Sequence, residues 1–112
     1  MTEHNVAKFV QEQLDYILAK LTSAAEQKSR DTMKAPISRL REFIISVREA
    51  FSLGDGFLDT DFKNVENALL NLDRYCAGDG ISDSDAMIFA DYVELKLKYV
   101  TVTYDCFKKI AE

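Results

Sequence analysis

Residues 82–112 read SDSDAMIFADYVELKLKYVTVTYDCFKKIAE. At 3.6 residues per turn this stretch carries two apolar stripes, each in alternating three- and four-residue steps. One runs Ala86, Phe89, Val93, Leu97, Val100, Tyr104, Phe107, and the other Ile88, Tyr92, Leu95, Tyr99, Val102, Cys106. Asp91, Glu94, Lys98, Thr101, Asp105, Lys108 and Lys109 fill the remaining arc, roughly a third of the wheel. A helix apolar over so much of its circumference needs cover on two sides. The spacing therefore predicts one helix from Ser82 to the C-terminus, either at the centre of a bundle or packed by its own fold on one side and by a partner or a second copy on the other. The segment Lys96–Tyr104 is rich in β-branched and aromatic residues, as strands are. Strict alternation fails there, and the helical spacing continues on both sides.

Three further segments repeat the pattern. Val6, Phe9, Val10, Leu14, Ile17, Leu18, Leu21, Ala24 and Ala25 form one stripe, with Thr2 as an N-cap. It predicts a helix from about Glu3 to Lys28. Pro36 fits a first helical turn, where its missing N–H costs nothing. Ile37, Leu40, Ile44, Val47 and Phe51 carry that second helix to about Ser52, with Gly54 as its stop. Phe62, Val65, Leu69, Leu72 and Cys76 mark a third from about Asp59, stopped by Gly78. Ser82 and Asp85 form a near capping box for the fourth.

The expected fold is all-α, a single helical-bundle domain over residues 1–112. Short connections favour a four-helix antiparallel bundle with long first and last helices and two shorter middle helices. At 1.5 Å per residue the outer pair would be about 40 Å long and the inner pair about 25 Å. The outer helices would overhang, leaving apolar surface to be covered by the other long helix or by a second chain.

At 112 residues the chain is long enough to fold without metals or disulfides. No apolar run approaches a membrane span, and the N-terminus lacks a secretory pattern, which points to a cytoplasm, bacterial or host. Cys76 and Cys106 fall on apolar helical positions and read as reduced core cysteines. The net charge of −5 argues against general nucleic-acid binding. Charge is unevenly placed, however. Residues 28–48 hold six bases and two acids, net +4, whereas residues 49–91 hold two bases and ten acids, net −8. Acidic surface of this kind suits a basic protein partner.

Two connections have nearly the same text: GDGFLDTD at 54–61 and GDGISDSD at 78–85. Glycines stop the helix before, and acids and hydroxyls cap the helix after. The first copy resembles the middle of an EF-hand loop at Asp55, Gly56, Leu58 and Asp59. Phe51, Leu53 and Phe62 stand where its first, third and twelfth ligands belong, so no calcium site is expected. His4 is the only histidine, and no HExxH, CxxC, P-loop or GxGxxG occurs. No cofactor, metal site or catalytic residue is expected.

These features predict a small, acidic, non-enzymatic module that binds and blocks or bridges another protein, in the manner of an inhibitor, immunity protein or adaptor. Candidate partner contacts are Asp55, Phe57, Asp59, Asp61, Asp79, Asp83 and Asp85. Candidate homodimer contacts are Ile88, Tyr92, Leu95, Tyr99 and Val102. The alternative is a regulator contacting nucleic acid through Lys28, Arg30, Lys34, Arg39 and Arg41 in the basic segment.

Overall fold

The computed structural model describes residues 2–51 and 56–112, apart from the side chains of residues 3, 4, 56 and 57. Gly54 and Asp55 thus lie outside the described residues, as does the side chain of Phe57. Five helices follow in order: α1 (Glu3–Glu26), α2 (Arg30–Phe51), α3 (Gly56–Cys76), α4 (Asp83–Thr103) and the short α5 (Cys106–Ala111). No strand occurs among the described residues.

The caps follow the local sequence. Thr2 Oγ1 accepts the N–H of Asn5 at 3.3 Å, and Ser82 Oγ accepts that of Asp85 at 3.1 Å. Both α1 and α3 end in a Schellman turn. In α3 the N–H of Gly78 donates to the Tyr75 carbonyl and that of Asp79 to Arg74, with Gly78 at φ 74°. In α1 the N–H groups of Lys28 and Ser29 donate to Ala25 and Ala24, and the left-handed position falls to Lys28 at φ 55°. No glycine signals that turn, so the helix ends two residues before the boundary read from the stripe.

Three expectations are corrected. First, the long helices are nearly equal, at 24, 22, 21 and 21 residues, so the outer pair does not overhang a shorter inner pair. Second, Pro36 lies inside α2, not in its first turn. The helix reaches back because Met33 extends the stripe in a four-residue step and is fully buried. Ser29 Oγ also accepts the N–H of Thr32 at 3.4 Å. These gains offset the hydrogen bond that proline removes. Third, the helix from Ser82 does not run to the C-terminus. It stops at Thr103, and Asp105 takes a left-handed conformation at φ 56°. The turn instead lays α5 against α1, α2 and α4. Cys106 becomes fully buried, and the ring of Phe107 lies 6.4 Å from that of Phe43.

Each long helix touches its neighbour in sequence, and α1 closes the ring on α4; the backbones of the diagonal pairs α1–α3 and α2–α4 lie farther apart among the described residues. Inside the ring lie Leu14, Leu18 and Leu21 of α1, Ile37, Leu40, Ile44 and Val47 of α2, Phe62, Val65, Leu69 and Leu72 of α3, and Val93, Leu97 and Val100 of α4. Phe9, assigned to the α1 stripe from spacing, is instead 56% exposed near the start of that helix. Thr101, placed on the polar arc, is buried. Its hydroxyl donates to the Leu97 carbonyl at 2.6 Å, one turn back, so its polarity is satisfied within the helix.

Candidate functional site

The first apolar stripe of α4 is core and the second is bare. Ile88, Tyr92, Leu95, Tyr99 and Val102 expose 63, 38, 68, 58 and 69% of their surface. They follow steps of four, three, four and three, so they form one straight seam about 21 Å long at 1.5 Å per residue. Two neighbouring helices, α1 and α3, together with α5, cover only the opposite face. The seam's exposure therefore comes from the direction of the side chains and not from overhang.

A shallow hollow lies at the middle of the seam, lined by Tyr92, Leu95, Lys96 and Tyr99. One of its lining side chains is tied to α3. Lys96 Nζ sits 2.9 Å from Asp61 Oδ1 and 5.5 Å from the centre of the Tyr99 ring. The hydrogen bond to Asp61 holds the Lys96 ammonium above its usual pKa. A long side chain that points into an apolar arc is thereby pinned along its edge, with its charge directed at α3.

The acids expected to meet a partner are distributed differently. Asp61 is engaged with Lys96. Asp59 lies 3.2 Å from Arg48 and 3.0 Å from Lys63, and the hydrogen bond from Lys63 holds its carboxyl below the usual range. Asp83 accepts the hydroxyl of the buried Tyr75 at 2.6 Å, which raises the Tyr75 pKa. Asp79 faces Arg74 at 3.6 Å with both side chains more than half exposed. Asp85 and, beside the seam, Asp91 are exposed and enter no ion pair among the described residues. The repeat thus splits into two ends of α3: Asp59 and Asp61 at its start, Asp79, Asp83 and Asp85 beyond its end.

Much of the charge segregation in the sequence closes on itself. Arg41 of α2 pairs with Asp73 of α3, and Arg48 pairs with Glu66 as well as Asp59. Arg30 donates to the Tyr75 carbonyl at 2.9 Å and stacks on that ring at 4.7 Å. Lys34 lies 3.9 Å from Asp31. Of the basic segment, Lys28, Arg30 and Arg39 are exposed without an ion pair among the described residues. Sequence spacing does not reveal this cross-helix matching, because it pairs residues 11 to 32 positions apart.

No protein-family model matches the chain, and neither a curated protein nor a solved structure does. No group of three or more His, Cys, Asp or Glu side chains is placed to hold a metal ion among the described residues. No helix among them is long and apolar enough to cross a membrane.

Proposed function

We propose that this chain is a non-enzymatic protein-interaction module that works by contact, binding and blocking or bridging another protein. The observation that supports it is the bare seam of α4, five large apolar side chains in register on a helix whose other face is core. Contiguous apolar surface costs solubility when left open and is characteristic of binding faces. The reading takes the four long helices as an antiparallel bundle. Two ties support that direction for α3 and α4: Asp61 near the start of α3 meets Lys96 in the second half of α4, and Tyr75 near the end of α3 meets Asp83 at the start of α4. It also places the protein in a cytoplasm, where the free thiols of Cys76 and Cys106 stay reduced.

The exposed acids around the start of α4, Asp79 and Asp85, supply the face for a basic partner, and Asp83 keeps Tyr75 in place behind them. The test is affinity capture from the native cell with three baits: the intact protein, Leu95→Lys, and the pair Asp79→Lys with Asp85→Lys. A protein retained by the intact bait and lost from either variant at low salt supports the reading. Identical retention by all three baits removes it.

A further inference from the structure

We infer that the α4 seam is an antiparallel coiled-coil contact with a second copy of the same chain. This rests on the reading of the seam as a binding face and names its occupant. Ile88, Leu95 and Val102 recur every seven residues, as do Tyr92 and Tyr99 between them. That is the two-per-seven pattern of a helix that takes one other helix, narrower than the stripe that faces a globular core. The hollow at its centre is lined by Tyr92, Leu95, Lys96 and Tyr99, positions i, i+3, i+4 and i+7. Four residues in that arrangement form the hole that receives one side chain of a facing helix.

Charge selects the direction and the register. The first half of α4, residues 83–94, holds four acids and no base; the second half, residues 95–103, holds two lysines and no acid. A second copy running the same way lays the two acidic halves side by side and turns Asp91 toward the partner's Lys96, a charge that Asp61 already holds at 2.9 Å. A copy running the opposite way sets each acidic half against a basic one. In that direction one register places Tyr92 of each copy in the other's hollow, across from the partner's Leu95. It sets Ile88 across from the partner's Tyr99, and flanks the seam with Asp91 facing the partner's Lys98, twice by symmetry. Asp91 has no ion pair within its own chain among the described residues, and Lys98 has only a loose one, 3.9 Å from Glu94. Sliding by seven residues one way sets Lys98 against the partner's Lys98 and Asp91 against the partner's Asp105. Sliding the other way sets Asp91 against the partner's Asp91. The seam is therefore complementary to itself in one arrangement, as a two-fold contact requires. Five side chains about 60% open expose about 600 Å² per chain; four of them meet apolar partners in this register and Val102 lies across from the partner's Asp85, so two copies bury about 1,000–1,200 Å², the lower edge of specific interfaces.

The test is sedimentation equilibrium of the full chain from about 1 to 100 μM at low salt, with circular dichroism to show that each variant is folded. The intact protein is expected to approach twice its 12.7 kDa mass. Leu95→Lys should be a folded monomer. Asp91→Lys alone and Lys98→Asp alone should each weaken the dimer about tenfold, and the two together should restore it to within about threefold of the intact protein. A folded intact protein that remains monomeric at the highest concentration overturns the inference. So does a dimer indifferent to Leu95→Lys. Weakening by Asp91→Lys that the double exchange fails to rescue rules out this register. A monomer that still captures a foreign protein through Leu95 loses the second copy and keeps the interaction module. A dimer whose capture is unchanged by every bait variant does the reverse.

Discussion

Lys28 and Gly78 occupy the same place in the same turn, and only one of them suits it. Left-handed backbone costs a side-chain-bearing residue about 1 kcal/mol that glycine does not pay. Lys28→Gly is therefore expected to stabilise the fold by up to about 1 kcal/mol, read from the urea midpoint; an unchanged or lower midpoint would contradict the turn described at the end of α1. Cys106 offers a second measurement. Burial pushes its thiol from an ordinary 9.0 up to about 11. Below about pH 9 the thiol is protonated in both the folded and unfolded chain and contributes no slope. Between about 9 and 11 the unfolded chain loses the proton first, so stability falls as pH rises, by an order of 2 kcal/mol in all. Tyr75, raised by its bond to Asp83 and by burial, acts in the same direction above about 10. Intact protein should thus lose more stability across this window than Cys106→Ala does. Superimposable slopes would refute the burial of that thiol as the cause. Tyr75→Phe removes the donor to Asp83 and is expected to lower stability by about 1–2 kcal/mol at neutral pH.

At the scale of elements, the α2–α3 seam is where charge is matched. Arg48 lies over Phe62, 5.8 Å from the ring, and reaches Asp59 and Glu66, two turns apart on α3. These groups are about a third exposed, so their worth is modest. A double-mutant cycle on Arg48→Ala and Glu66→Ala should return a coupling of about 0.5–1 kcal/mol that shrinks in high salt. A coupling of zero at low salt would show that the pair adds nothing. Sequence placed the bases and acids in separate segments and so suggested a polar molecule seeking a basic partner. It did not show that α2 and α3 lie side by side, which returns part of that charge to the chain itself. The short α5 teaches the same lesson. Its residues kept the helical spacing through Tyr104 and Asp105, and no glycine or proline marked the turn. The hydrophobic gain of folding Phe107 and Ile110 back onto the ring overrode local propensity.

Across the whole molecule, two leucines two positions apart have opposite fates. Leu97 is fully buried and Leu95 is 68% exposed. Leu97→Ala should cost about 2–5 kcal/mol, whereas Leu95→Ala, measured below about 1 μM where copies are apart, should stay within about 0.5 kcal/mol. Equal losses at both positions would mean that α4 is turned about its axis from the orientation described. What the sequence determined by itself is what depends on neighbours along the chain. Three- and four-residue spacing made four long helices, hydroxyls capped α1 and α4, Gly78 ended α3, and each inner stripe supplied the core almost residue for residue. The seam too was legible as a second stripe, because periodicity needs no partner to be seen. Only tertiary structure decided which of the two α4 stripes faces inward. The stripes are alike in hydrophobicity, but the inward face carries the small, fully buried Ala86 and, beside its stripe, Ala90, and the outer stripe carries Ile88 and Tyr92. Packing at close range admits the small side chains and turns the bulky ones to solvent. The helix lengths, the place of Pro36 and the fold-back of α5 were likewise settled by burial at a distance, a gain that no window along the chain contains.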